Sequence, residues 1–499
     1  MKKSIKSIFF SAGVLLFLSY PGVIHAQEYF QKLDCFSIIA GKDATQDGSV
    51  IIAHNEDTGG DRVINYFKVP RTNHNNGDKI TFINGGKLEQ VTQTNAFLWI
   101  NIPNATVCDS YINEYGVVVL SDGCPSREKN PDLTEGGILY MLRRIMADRA
   151  KSSREAVRIA GKLIDRFGYA DSGRSYMIAD SNEGWVLAAV YGKHWVAARI
   201  PDNEIAIIPN YYTIGEIDLS DTINFMGSPD IISYAIKQGW YNPGKDGKFN
   251  FSKAYAKPES RQHPGNVHRI WRGVNLASGK QYSIENDFPF SFKRQDKISY
   301  NQIMNILRDH YEGTKLDHSK NYSLGSPYVL NKATICSKAT QYSIVAQLRN
   351  WMPVEIRARI WISILRPDVQ VYVPWYVNIE KTPNIYRSYP SDSAILYQFN
   401  PPKRIYDTSS EHAYWVCQQL ADNVERNYKE LMPKVRKTWD AIEAKEAAKI
   451  NRLERKATRH ENPHPEKTYK KLSTYSVSMA NKTYKKTKKL VKKTEQTQN

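Results

Sequence analysis

An α+β fold is what this sequence predicts, because strand-like runs gather in blocks, two long amphipathic helical blocks stand apart from them, and no regular strand-helix alternation joins the two. The first strand block opens at Cys35. In CFSIIAGKDATQDGSVIIAHNED, two apolar, β-branched runs flank the turn formers Asp47 and Gly48, which predicts a hairpin. The run YINEYGVVVLSDG adds a further strand. From Thr134 to Gly168 the apolar period lengthens to that of a helix, in two amphipathic stretches separated by Lys151, Ser152 and Ser153. Ser152 with Glu155 carries a capping-box signature, and Gly168 is the stop. Residues 173 to 214 return to short strand-like runs broken by DSN, YGK and PDN turns, which predicts an antiparallel meander. Residues 215 to 330, rich in aromatics, Pro and Gly, read as long loops. Strands return in QYSIVAQLRN, EIRARIWISIL and VQVYVPWYV, and a long helical segment follows from Ser410.

Length and charge set the domain organisation. Residues 1–26 have the build of an export signal: Lys2, Lys3 and Lys6, an apolar run, and a small-residue cut site after Ala26. Residues 27–34 read as a short polar segment between the leader and the body, 35–442 as one large domain, and 443–499 as a helical extension running into a Lys-rich tail. The protein is therefore expected in the periplasm or secreted. The formal net charge of +18 first suggests a nucleic-acid partner. Sixteen Lys or Arg against six Glu from residue 443 onward account for +10 of it, and the leader for +3. The body is only mildly basic, so no nucleic acid is expected. The tail, without an apolar period, reads as a disordered solvated extension, with weak contact to an anionic envelope surface as its functional alternative. Oligomerisation is left open.

Five cysteines, at 35, 108, 124, 336 and 417, form no CxxC pair and no zinc-spaced cluster. A disulfide such as Cys108 with Cys124 is permitted in an exported chain. The histidines, among them His263, His268, His310 and His318, show no metal constellation and read as solvated loop residues. No cofactor and no metal are called for.

A lone cysteine on an apolar strand is ordinarily a buried small residue. Cys35 differs by location: one cut after Asp34 would set its thiol beside a free α-amine, which can serve as its base. Here the residues resemble a family. The opening segment from Cys35 to Asp57, with NEYGVVVLSDGCPSRE, the LTEGGILYMLRRIMADRAKSSREAV helix, SGRSYMIADSNEGWVLAAV, PNYYTI and VYVPWY, resembles the C69 dipeptidases, N-terminal-nucleophile hydrolases related to penicillin V acylase and bile salt hydrolase. The resemblance spans roughly residues 35 to 440.

It implies an αββα four-layer sandwich and cysteine-dependent hydrolysis of dipeptides or short peptides. By position, Cys35 matches the nucleophile, Asp57 the acid that holds its α-amine, and Asn210 an oxyanion donor. Arg269 matches an arginine close to the thiol, where positive charge would favour thiolate; Arg272 is the competing match. A backbone N–H at Asp122 or Gly123 is the second oxyanion candidate. His54 stands where the bile salt hydrolase relatives have arginine, and an imidazole cannot reproduce a bidentate guanidinium. His54 and Asp122 are retained as candidate substrate contacts. The alternatives are an acylase cutting N-acyl amides and a non-catalytic secreted binding protein on the same fold.

Overall fold

The computed structural model describes residues 35–458 and 464–496, except 59–61, 106–107, 399, 403 and 410. The expected signal segment and propeptide, residues 1–34, lie outside the described residues. Two antiparallel sheets form the centre. The first runs, in spatial order, Phe292–Lys293, Glu204–Ile208, Phe36–Ala40, Val50–Asp57, Thr340–Leu348, Ala358–Ile364 and Val373–Trp375. The second runs Phe225–Gly227, Trp195–Ile200, Gly184–Gly192, Tyr169–Ala179, Val118–Gly123, Ser110–Asn113, Phe97–Asn101 and Asn65–Val69.

Strand alternation decides what each sheet faces. In the second sheet Val118, Leu120, Met177, Ala179, Val186 and Ala188 point into the core between the sheets. Their neighbours Val119, Tyr176, Ile178, Trp185 and Leu187 pack outward on the helices Met141–Arg149 and Ser153–Phe167. In the first sheet Ile39 points inward and meets the second sheet at Gly184, where a Cβ would come within 2.6 Å of its Cγ2. Phe36 points outward onto the helix Pro264–Ser278, at Gly273, where a Cβ would lie 2.7 Å from its ring. Helix, sheet, sheet and helix therefore stack as four layers in an α+β domain.

The hairpin from Cys35 pairs Ser37 with His54 and Phe36 with Asn55. Its turn uses Gly48 at φ 79° and Asp47 Oδ1, which accepts from the Ser49 amide and hydroxyl at 3.1 and 2.6 Å. Ser152 caps its helix by accepting from Glu155 N at 3.2 Å, and Gly168 closes it at φ 77°. The first helical stretch begins at Met141, later than its apolar residues suggest, because Gly136 and Gly137 adopt φ 77° and 75°. The meander also parts: Glu204–Ile208 leaves the second sheet and pairs with Phe36–Ala40 in the first. The segment after Ser410 is two helices, Ala413–Arg426 and Tyr428–Ala457, broken at Asn427 (φ −140°).

Three expectations need correction. All five cysteines are free thiols, so Cys108 and Cys124 are not bridged. Residues Pro465–Gln496, expected as a disordered tail, form a helix against Ala413–Arg426, Tyr428–Ala457 and Val373–Trp375. Its inward stripe is Leu472, Ser476, Met479, Ala480, Thr483, Thr487, Leu490, Val491 and Thr494. Ser and Thr dilute the apolar period, and several of their hydroxyls return to the carbonyl four residues back, as from Thr487 to Thr483 and from Thr494 to Leu490. His310, expected in solvent, is only 1% exposed. Among the described residues no helix is long and apolar enough to cross a membrane.

Candidate active site

Because Ser37 and His54 are cross-strand partners, period-two alternation places Cys35, Ser37, His54 and Glu56 on the inner face of the first sheet. Leu120 faces the core, so Asp122, two residues on, projects from the second sheet toward them. The thiol, His54 and Asp122 offer atoms within 4.8 Å of one another. His54 Nδ1 lies 2.9 Å from Ser37 Oγ and 3.2 Å from Asp122 Oδ1, and its Nε2 3.1 Å from Glu56 Oε2. Glu56 Oε1 accepts from the Cys35 thiol at 3.5 Å, and the Asp57 amide donates to the sulfur at 3.5 Å.

The other side of Cys35 is held by the outer helix. Arg269 Nη1 donates to the Cys35 carbonyl at 2.7 Å, and Nη2 donates to Asn210 Oδ1 at 3.0 Å and Asn266 Oδ1 at 2.8 Å. Asn210 Nδ2 donates to the Gly123 carbonyl at 3.0 Å. Asp57 Oδ2 accepts from Ser337 Oγ at 2.8 Å.

The sequence profile of peptidase family C69 matches residues 34–441. The chain belongs to peptidase family C69. This C69 peptidase is a cysteine-type hydrolase. A probable dipeptidase of Latilactobacillus sakei is 26% identical over 419 residues, 79% of this chain and 81% of that protein. A probable dipeptidase of Salmonella dublin is 27% identical over 354 residues, covering 68% and 80%. Probable dipeptidase B of Streptococcus pyogenes serotype M1 is 25% identical over 477 residues, covering 88% and 91%. A solved structure of a mutant conjugated bile acid hydrolase from Clostridium perfringens matches 66% of this chain and 89% of that one, at 13% identity and a TM-score of 0.28.

In the C69 peptidase Cys35, Asp57, His54, Asp122, Asn210 and Arg269 converge, whereas Arg272 does not join them. It pairs with Asp309 at 2.8 and 2.6 Å and donates to the Glu312 carbonyl. Arg269 reaches the Cys35 carbonyl and also donates to the Gly265 carbonyl, Asn210 Oδ1 and Asn266 Oδ1. Glu56 Oε1 is 3.5 Å from the sulfur, and the His54 ring and the Asp122 carboxylate lie within 4.8 Å of it. Burial, then Glu56, Asp122 and Asp57, push the thiol well above the usual cysteine range.

His54 is buried between two carboxylates, and although burial lowers its pKa, the hydrogen bond and charge of Asp122, followed by those of Glu56, raise it to about 9. Burial in turn raises the Asp122 carboxyl, with His54 opposing. Gly123 enters through its carbonyl, as acceptor for Asn210. Sequence reasoning passed over Glu56, Ser37, Asn266 and Ser337. Alternation from His54 through HNED could have found Glu56; no local signal marks Ser337, which lies 280 residues from Asp57 in the chain.

Proposed function

We infer that this C69 peptidase is an exported dipeptidase in which Cys35, made N-terminal by a cut after Asp34, is the nucleophile and its own α-amine the base. The observation that carries the reading is the position of Cys35 at the start of its strand, its sulfur 3.5 Å from both Glu56 Oε1 and the Asp57 amide and its carbonyl clamped by Arg269 at 2.7 Å. A thiol becomes a nucleophile when a base within reach takes its proton, and cleavage before Cys35 creates one on the same residue.

The amine takes the thiol proton and the sulfur attacks the scissile carbonyl. Asn210 Nδ2 turns from the Gly123 carbonyl to the oxyanion, and Arg269 holds the asparagine through its Oδ1. The amine then protonates the departing amine, and water hydrolyses the thioester. Dipeptides are the proposed substrates because the relatives named above are probable dipeptidases.

The test combines intact mass of the exported protein with dipeptide hydrolysis. The active form is expected to begin at Cys35, and Cys35→Ala to lose hydrolysis. Active protein beginning at Gln27 would overturn the amine-base mechanism, and retained activity in Cys35→Ala would overturn the nucleophile.

A further inference from the structure

A second buried cluster lies behind the site, on the loops that follow Leu307. His310, Cys336 and Asp368 are buried, and each offers one ligating atom, all within 4.8 Å of one another. His310 is oriented from behind by Glu312, whose Oε1 lies 3.0 Å from Nδ1 and whose Oε2 accepts the His310 amide at 2.7 Å. The ring's other nitrogen, Nε2, is buried and makes no hydrogen bond; it lies 3.5 Å from Asp368 Oδ2. Asp368 is fixed in turn. The hydroxyls of Tyr328 and Tyr428 donate to Oδ2, leaving Oδ1 3.5 Å from Cys336 Sγ.

We propose that His310 Nε2, Cys336 Sγ and the Asp368 carboxylate form a binding site for a zinc-class divalent cation. Bond lengths of about 2.0–2.1 Å to nitrogen and oxygen and about 2.3 Å to sulfur, at tetrahedral angles, require ligand separations of roughly 3.4 Å for N to O and roughly 3.5 Å for S to O. His310 Nε2 stands 3.5 Å from Asp368 Oδ2, too long for a good N–H···O bond, and Cys336 Sγ 3.5 Å from Asp368 Oδ1, so the carboxylate presents one oxygen to each of the other two ligands. Glu312 completes the carboxylate-histidine-metal arrangement that fixes a ligating imidazole. On binding, the thiol loses its proton and His310 binds neutral, so one thiolate and one carboxylate balance the dication. Nearby Arg366, stacked on Tyr328 at 4.3 Å, is paired with Glu425 at 3.0 Å. Water takes the fourth position.

The role is structural and reaches the active site through two short paths. Cys336 adjoins Ser337, which donates to Asp57. His310 adjoins Asp309, which pairs with Arg272 on the helix that carries Arg269. The metal would pin both loops where they support these residues.

Full-length protein expressed with added zinc, freed of loose metal and measured by inductively coupled plasma mass spectrometry is expected to hold one zinc per chain. Cobalt(II) in its place should give a thiolate-to-cobalt charge-transfer band in the near ultraviolet. The band should persist in Cys35→Ala, which separates this site from the Cys35, His54 and Asp122 group, and vanish in Cys336→Ser. Glu312→Gln should weaken zinc binding about ten- to a hundred-fold. The proposal is overturned by folded wild-type protein that holds no zinc and whose thermal midpoint does not move on zinc addition. It is equally overturned by bound cobalt without the band, or by a band that Cys35→Ala removes. None of these readouts depends on dipeptide hydrolysis.

Discussion

His54 sets the electrostatic balance around the thiol. It lies 3.2 Å from Asp122 and 3.1 Å from Glu56, out of water, so one imidazolium stands between two carboxylates. Its pKa of about 9 lies above the unfolded value of about 6.5, which fixes the direction of the linkage. The stabilisation is complete below about pH 6.5 and is lost as pH rises through about 9. Thermal melts across that window should show the midpoint falling with pH. In His54→Gln the fall should flatten, and stability near neutrality should drop by about 3–5 kcal/mol because two buried carboxylates lose their cation. An unchanged slope in the variant would remove His54 from this role. HNED shows a histidine two residues from a glutamate, but only the neighbouring sheet supplies Asp122.

At the scale of elements, the helix Tyr428–Ala457 is anchored near its end by Glu454. The carboxylate lies between Arg349, at 2.6 and 2.8 Å, and Arg359, and also accepts from Tyr376. Burial works against ionisation, yet the charges and hydrogen bonds of the two arginines hold the carboxyl at about 2. A depressed carboxylate pKa stabilises above the unfolded value and loses that stabilisation as pH falls through the folded one. Glu454→Gln should cost about 3–5 kcal/mol at neutral pH, since two guanidiniums remain in the interior, and chemical denaturation would measure it. Sheet contact is a second element-scale constraint. Gly184→Val should lower the thermal midpoint far more than an exposed-strand glycine change, because even a Cβ there meets Ile39 at 2.6 Å.

For the whole molecule, the helix Pro465–Gln496 joins the C-terminal end to the core. Leu472, Met479, Leu490 and Val491 are buried, the Tyr386 hydroxyl donates to the Ala480 carbonyl at 3.1 Å, and Asn423 donates to Thr494 at 3.1 Å. Most lysines of this segment point outward, including Lys470, Lys471, Lys482, Lys485, Lys489 and Lys492. A chain ending at Thr458 should unfold at lower temperature and be cut faster by protease around Ala413–Arg426. Each fully buried aliphatic side chain lost contributes about 1.5–3 kcal/mol before the ordering cost of the helix is set against it. An unchanged midpoint would show that the helix adds nothing to the fold.

Local periodicity by itself determined the hairpin from Cys35, the capped helix Ser153–Phe167 and the returning strands after Thr340, and the place of Cys35 just past the leader marked it as the candidate nucleophile. Those features depend on neighbours a few positions apart. The tertiary structure decided the rest. Alternation on two facing sheets brought Asp122 to His54 and Cys35, the helix Pro264–Ser278 turned Arg269 to the Cys35 carbonyl while Arg272 went to Asp309, and the fold carried Glu204–Ile208 out of the meander to place Asn210. The C-terminal helix was hidden because Ser and Thr fill its inward stripe, and their burial is favourable only once their hydroxyls close back on the helix and a surface exists to receive them. The grouping of His310, Cys336 and Asp368 was equally out of reach, since contacts across long sequence separations leave no period to read.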